Sequence, residues 1–239
     1  MVDSAALAAR LDSVRAAVVR AASRAGRDPS SVRLIAVSKT FSSDHVRTAA
    51  SCGQVDFGEN KVQEAQQKIE ATRDLHLTWH LVGHLQSNKA RKAGALFDAV
   101  HSIDDPRLVA LMDEAASQAG RTVSVLIQVD LAGEPTKHGV SADDLMPIIE
   151  AADRCRSARL VGLMLLPPAH DDPEQTRPFF AALRRLRDSL IDRGVPSSRL
   201  TELSMGMSHD FEIAIEEGAT MVRVGSAIFG SRSYHADPQ

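Results

Sequence analysis

A chain of 239 residues, 44% of them hydrophobic, can bury a core of its own and falls within the size of one α/β barrel domain. Its 28 basic and 31 acidic side chains leave a formal net charge of -3 and are interspersed, so no basic stripe marks a nucleic-acid partner and a small-molecule partner is expected. Cys52 and Cys155 form neither a CxxC pair nor a metal-ligand spacing, which argues against a disulfide framework or a bound metal and suits a reducing cytoplasm.

The first segment, 1–28, sets Leu7, Leu11, Val14 and Val18 at helical spacing and ends near Gly26 and Pro29, which predicts an opening amphipathic helix. Asp and Arg scattered among its apolar residues are unlike a signal peptide, and no other run could span a bilayer, so a soluble, unprocessed chain is expected. Short apolar or β-branched runs follow at 32–37, 55–57, 78–82, 99–103, 123–129, 160–165, 201–203 and 221–224. Between them, helical periodicity occupies 44–50, 60–69, 107–119, 142–152, 178–191 and 211–216. About eight strand–helix repeats with little left over predict a parallel sheet closed into a single (β/α)₈ barrel over 1–239, with 231–239 as a tail. An open doubly wound sheet is the alternative. No linker, low-complexity tract or repeat divides the chain.

The run from Val32 to Val37 ends in Ser38 and Lys39, before a helix with Ser43 as its expected cap. In a barrel this places Lys39 at the C-terminal mouth, where active sites are built. Desolvation there would lower the ammonium pKa and release an amine able to attack an aldehyde. Taken alone, the segment reads first as a lysine snorkelling into water. Support comes from Ser204 to Asp210 and from Arg223 to Gly230, which leave the seventh and eighth strands through Ser and Gly. Small residues let backbone amides approach a ligand, and loops after these two strands are the frequent phosphate site of such barrels. Either loop alone is equally well ordinary capping, with Ser208 or Asp210 as N-cap; the two together point to a site.

Arg223 interrupts the apolar run Met221-Val222-Arg223-Val224. A buried guanidinium needs a partner: a carboxylate such as Glu59, water on the outer face, or the ring nitrogen of a ligand. A cation facing a pyridine nitrogen would keep that nitrogen unprotonated and restrain carbanion chemistry. Asn60 either stands beside the ring or caps the next helix. His80 lies inside a strand and reads as a satisfied core histidine. His84 has no identifiable acid or nucleophile partner, and Lys137 is either a second cation near a phosphate or a solvated loop residue. No Ser-His-Asp order, Walker loop or GxGxxG fingerprint is present.

As a set, Ala36-Val37-Ser38-Lys39-Thr40, Phe57-Gly58-Glu59-Asn60, the stretch from Trp79-His80 to Asn88-Lys89, Gly162-Leu163-Met164, Ser204 to Ser208 and Arg223 to Gly230 are specific. Through them the chain, from about Leu34 to Tyr234, resembles the pyridoxal phosphate homeostasis protein family, whose fold is similar to the N-terminal barrel of alanine racemase. The resemblance implies a cofactor, pyridoxal 5'-phosphate (PLP), held as a Schiff base on Lys39. By the same likeness Ser204, Ser208, Gly225 and Ser226 would hold its phosphate, Arg223 would face the pyridine nitrogen, and Asn60 and Met164 would line the ring. Lys61 stands where many relatives have Tyr, and His84 where several have Pro. Such proteins are thought to bind PLP and pass it on, and to influence vitamin B6 and amino-acid pools, without an established reaction of their own. For this chain the expected partners are PLP and, as transient recipients, apo PLP-dependent enzymes, with a monomer expected first and a dimer as the alternative.

The expected function is therefore a PLP carrier or regulator with no catalytic residue. A fold-type III amino-acid racemase is the rival, and it needs a base on each face of the substrate carbon. Racemase relatives take the second, a tyrosine, from an additional C-terminal domain of a partner subunit, whereas here the single tyrosine, Tyr234, lies in the terminal tail before Gln239. A class I aldolase would share the lysine and the phosphate loops but leaves Arg223 unexplained.

Overall fold

The computed structural model describes residues 2–133 and 138–230; Lys137, Tyr234 and the 231–239 tail therefore lie outside the described residues. Helix α1 (Ser4–Arg24) opens on Asp3, whose carboxylate accepts the Ala6 amide at 3.0 Å. It stops short of residue 28 because the Gly26 and Arg27 amides turn back to the Ser23 and Ala22 carbonyls. Its buried face is the expected one, carrying Leu7, Leu11, Val14 and Val18, widened by Ala17, Ala21 and Ala22.

Eight parallel strands then close on themselves: β1 (Arg33–Val37), β2 (Asp56–Glu59), β3 (Thr78–Leu81), β4 (Ala99–Ile103), β5 (Val123–Val129), β6 (Ala158–Leu165), β7 (Glu202–Ser204) and β8 (Met221–Val224), with β8 paired back to β1. Closure excludes the open sheet. The helices between them are α2 (Ser43–Ser51), α3 (Val62–Ala71), α4 (Ala90–Leu96), α5 (Pro106–Gln118), α6 (Met146–Asp153), α7 (Arg177–Asp192) and α8 (Phe211–Glu216), and a last turn, α9 (Ser226–Phe229), follows β8. The N-cap position of α2 is Ser42, one residue before the expected Ser43, and its side chain makes no capping bond. The periodic stretch 142–152 divides into a short 3₁₀ turn and α6, because Pro147 has no amide to donate and suits a first helical turn. Helix α1 packs on α8, α9 and α2, outside the seam between β8 and β1, where Arg10 Nε reaches the Ile228 carbonyl at 2.7 Å.

Side chains alternate across a strand, so every second residue faces into the barrel. In register, Ile35 lies beside Arg223, Gly58 beside His80, and Met164 beside Ser204, which in turn lies beside Met221. Ile35, Leu126, Met164 and Met221 form a small apolar cluster of their own, apart from the large one between sheet and helices. Apolar residues usually fill such an interior. Here buried polar side chains, His80, His101, Ser204 and Arg223, share it.

Candidate functional site

The inward rows lead to a cleft. On β1, Ile35 and Val37 extend to Lys39; on β2, Asp56 and Gly58 extend to Asn60; on β8, Met221 and Arg223 extend to Gly225. A cavity of about 710 Å³ at this mouth is lined by Lys39, Asn60, Arg223, Ser208, Gly225 and Ser226, among others. This volume suits a small ligand. Six of the eight residues expected from the sequence thus meet in one place. Met164 and Ser204 do not line the cavity: both are fully buried, Met164 one inward position below the lining residue Leu166.

Ser204 is occupied with other partners. Its Oγ accepts from Arg223 Nη1 at 2.6 Å and lies 2.8 Å from His101 Nδ1. His101 Nε2 is 2.9 Å from His80 Nδ1, and His80 Nε2 is 3.0 Å from Asp56 Oδ1. A guanidinium only donates and a carboxylate only accepts, so Arg223 gives to Ser204 and His80 Nε2 gives to Asp56. A continuous relay between them runs from the Ser204 hydroxyl to His101 Nδ1 and from His101 Nε2 to His80 Nδ1. Burial holds His101 well below the usual histidine value, with the neighbouring His80 and Arg223 acting the same way, so this ring stays neutral. His80 is satisfied as expected, but as one link of a row that includes the unexpected His101.

Arg223 points inward and forms no ion pair with a carboxylate among the described residues; Nη2 donates to the Leu165 carbonyl at 2.8 Å. Burial pulls its pKa down to about 10, with Asp210 opposing, so it remains a cation at neutral pH. A buried cation held by neutral acceptors on one side, at a cavity wall, has capacity for a ligand acceptor. Glu59, the partner considered from the sequence, is bound to Lys68 instead.

Around the other wall, Ser208 Oγ receives the Gly225 amide at 3.1 Å and the Ala227 amide at 3.3 Å. Two amides converging on one oxygen are the donor set an anionic oxygen would take. The loop before them is held in shape by Asp210, whose carboxylate accepts the Met207 amide at 2.6 Å. Gly206 adopts a φ of 91°, and a Cβ there would sit 2.6 Å from that of Ala214, so only glycine makes this turn.

The loop bearing Lys39 is fixed from below by Glu59 together with two charges that the sequence had not marked, Lys68 and Glu64. Lys68, buried on α3, donates to Glu59 Oε1 at 2.6 Å, to the Ser38 carbonyl at 2.7 Å and to Glu64 Oε1 at 2.8 Å. Ser38 Oγ also donates to Glu59 Oε1 at 2.6 Å, and Glu64 accepts the Thr40 amide at 2.6 Å. Thr40 has a φ of 69°, which costs a β-branched residue energy and which these contacts maintain. The half-buried Lys39 thus sits between two anchored neighbours. The available signal was a lysine at a helix position, i+4 from Glu64, on the buried face of α3.

The comparisons fit this geometry. The family model for the alanine racemase N-terminal domain matches residues 5–233. A pyridoxal phosphate homeostasis protein of Aquifex aeolicus is 41% identical over 225 residues, 94% of this chain and 98% of that protein. One from Pseudomonas aeruginosa is 42% identical over 231 residues, 96% of this chain and 97% of that protein. PipY of Synechococcus elongatus, solved with PLP bound, has 40% identity and a TM-score of 0.82, covering 94% of this chain and 100% of that one.

Proposed function

The chain belongs to the pyridoxal phosphate homeostasis protein family, built on the alanine racemase N-terminal barrel, and from that premise we propose that it binds PLP at the barrel mouth. The observation that carries the reading is that Lys39, from the first strand, lines the same cavity as Arg223, Ser208, Gly225 and Ser226 from the last two. When bound, PLP supplies an aldehyde that condenses with an amine and a pyridine ring that withdraws electrons.

Each residue has a share in holding it. Lys39 provides the amine of the Schiff base. Ser208, Ser226 and the amides around Gly225 receive the phosphate, and Asn60 stands beside the ring. Arg223 donates to the pyridine nitrogen and keeps it unprotonated, which weakens electron withdrawal and favours retention over turnover. Ser204 acts one layer down, orienting Arg223.

The cellular role we propose is that of a carrier or regulator in vitamin B6 homeostasis, passing PLP to apo enzymes that require it. Relatives named for homeostasis rather than for a reaction support this. Every residue proposed to hold the cofactor comes from one chain, so a monomer suffices. Cys52 and Cys155 carry free thiols, and no helix among the described residues is long and apolar enough to cross a membrane, in keeping with a cytoplasmic site of action.

Absorption spectroscopy of protein loaded with PLP tests the assignment. A visible Schiff-base band is expected for the unaltered chain and should vanish in Lys39→Ala; a band that persists would refute the role of Lys39. Sustained conversion of L-alanine or L-serine to its mirror form by the loaded protein would overturn the carrier reading in favour of a racemase.

A further inference from the structure

The loops after β3, β4 and β5 bring His84, Asp104 and His138 together at the edge of the cleft, one potential ligand atom of each lying within 4.8 Å of the others. We propose that these three side chains bind a divalent transition-metal ion of the zinc class. The proposal goes beyond PLP binding and does not depend on it. The sequence expectation of no metal considered cysteine spacing; these ligands come from three separate loops that only the closed barrel brings together.

The donor set selects the ion. Two imidazoles and one carboxylate are borderline nitrogen and oxygen donors that suit zinc and its neighbours better than calcium or magnesium. Three protein ligands with water completing the shell is a common zinc arrangement. His84 Nδ1 lies 3.5 Å from Asp104 Oδ2. Ligands about 2.1 Å from a tetrahedral zinc stand roughly 3.3–3.4 Å apart, so this pair needs little adjustment.

The His84 and His138 rings are stacked, with centroids 3.5 Å apart and 8° between their planes. Parallel rings do not aim their lone pairs at one point, so one ring must swivel to complete the site. The exposed His138 is the one with room to do so. Its backbone is already anchored: Gln128 Nε2 donates to the His138 carbonyl at 2.6 Å, and Val140 donates its amide to the Gln128 carbonyl at 2.9 Å. Gly83, next to His84, is fixed too. Its carbonyl accepts Ser102 Oγ at 2.7 Å, and a Cβ at that position would collide with the Asn60 backbone. Fixed backbones with one rotatable side chain give a site whose ordering cost is a single swivel.

Equilibrium dialysis of the purified protein against zinc chloride, with metal quantified in the retentate, tests the site. We expect one zinc per chain, and each of His84→Ala, Asp104→Ala and His138→Ala should weaken binding by more than the roughly 10–100-fold that loss of a supporting contact costs. Thermal melting without zinc shows whether each variant is folded, and zinc should raise the Tm of the unaltered chain but of none of the three. Absence of stoichiometric zinc from the unaltered protein would overturn the proposal. So would folded variants that bind zinc as tightly as it does, which would place the ion on other residues.

Discussion

Replacing Lys68 with Met should expose the structural debt carried by the Lys39 loop. Lys68 is 5% exposed and Glu59 is fully buried, with Glu59 Oε2 lacking a partner and Oε1 depending on Lys68 and Ser38. Removing one partner of a buried pair leaves the other charge uncompensated, which costs about 3–5 kcal/mol. For a domain of this size that is a fall in Tm of roughly 6–20 °C at neutral pH. Glu59 has an escape, because burial already raises its pKa and only Lys68 and Ser38 counter that rise. Without Lys68 its folded pKa climbs further, so the carboxyl takes up a proton. An acid with a raised folded pKa is stabilised as pH falls towards and below that value, so the penalty of Lys68→Met should shrink between pH 8 and pH 5. Urea denaturation of both proteins at the two pH values measures this. A penalty that is equal at both, or below about 1 kcal/mol at pH 8, would refute the view that Lys68 neutralises Glu59 beneath Lys39.

His101, fully buried with its pKa held well below 6.5, should make the fold acid-sensitive. The unfolded chain binds a proton that the folded one refuses, so stability is lost as pH falls through about 6.5, by up to roughly 1.4 kcal/mol per unit from this residue. Urea midpoints of the unaltered chain and His101→Gln across pH 5–7 give the difference; equal slopes would place the titration elsewhere. Asp113 Oδ1 accepts the amides of Arg156, Ser157 and Ala158 at 2.8, 2.5 and 2.8 Å, fastening α5 to the start of β6. Burial opposes its ionisation, but these bonds prevail and lower its pKa, so its contribution is present above about pH 4 and lost below. Asp113→Asn should cost about 1.5–3 kcal/mol at pH 7, read by chemical denaturation, and less at pH 3; an equal cost at both would mean that the charge plays no part.

Strands β4, β5 and β8 occupy the residues expected of them, because Ala99–Ile103, Val123–Val129 and Met221–Val224 are mostly apolar and buried almost throughout. Helix α4 carries no such signal: Ala90, Ala93 and Gly94 are its buried residues, and a stripe of small side chains has no amphipathic contrast. At the site, the convergence of Lys39, Arg223 and the loops bearing Ser208 and Ser226 on one cavity was legible because each breaks the pattern of its strand end. Depth was not. Met164 and Ser204 face inward like their neighbours, but how far below the mouth an inward residue sits depends on the stagger of the closed sheet, which no single segment encodes. The pairing of His80 with His101 was hidden for the same reason, since 21 residues of chain separate side chains that only adjacent strands bring to 2.9 Å.

The buried polar row explains why the cleft can present a cation without a carboxylate beside it. A carboxylate against Arg223 would take up donors that a bound acceptor could otherwise use. Instead the immediate partners of Arg223 are the Ser204 hydroxyl and the Leu165 carbonyl, Asp210 acts on it without forming an ion pair, and Ser204, His101 and His80 link it through hydrogen bonds to Asp56, where β2 begins. Such bonds strengthen one another in a low dielectric, and every member is satisfied, so the row is rigid. Rigidity matters at Arg223, because a side chain with many rotamers would otherwise lose entropy on meeting a ligand. The barrel interior therefore prepares its own mouth: the layer that packing alone would fill with aliphatic residues is given over to fixing the direction of a single guanidinium.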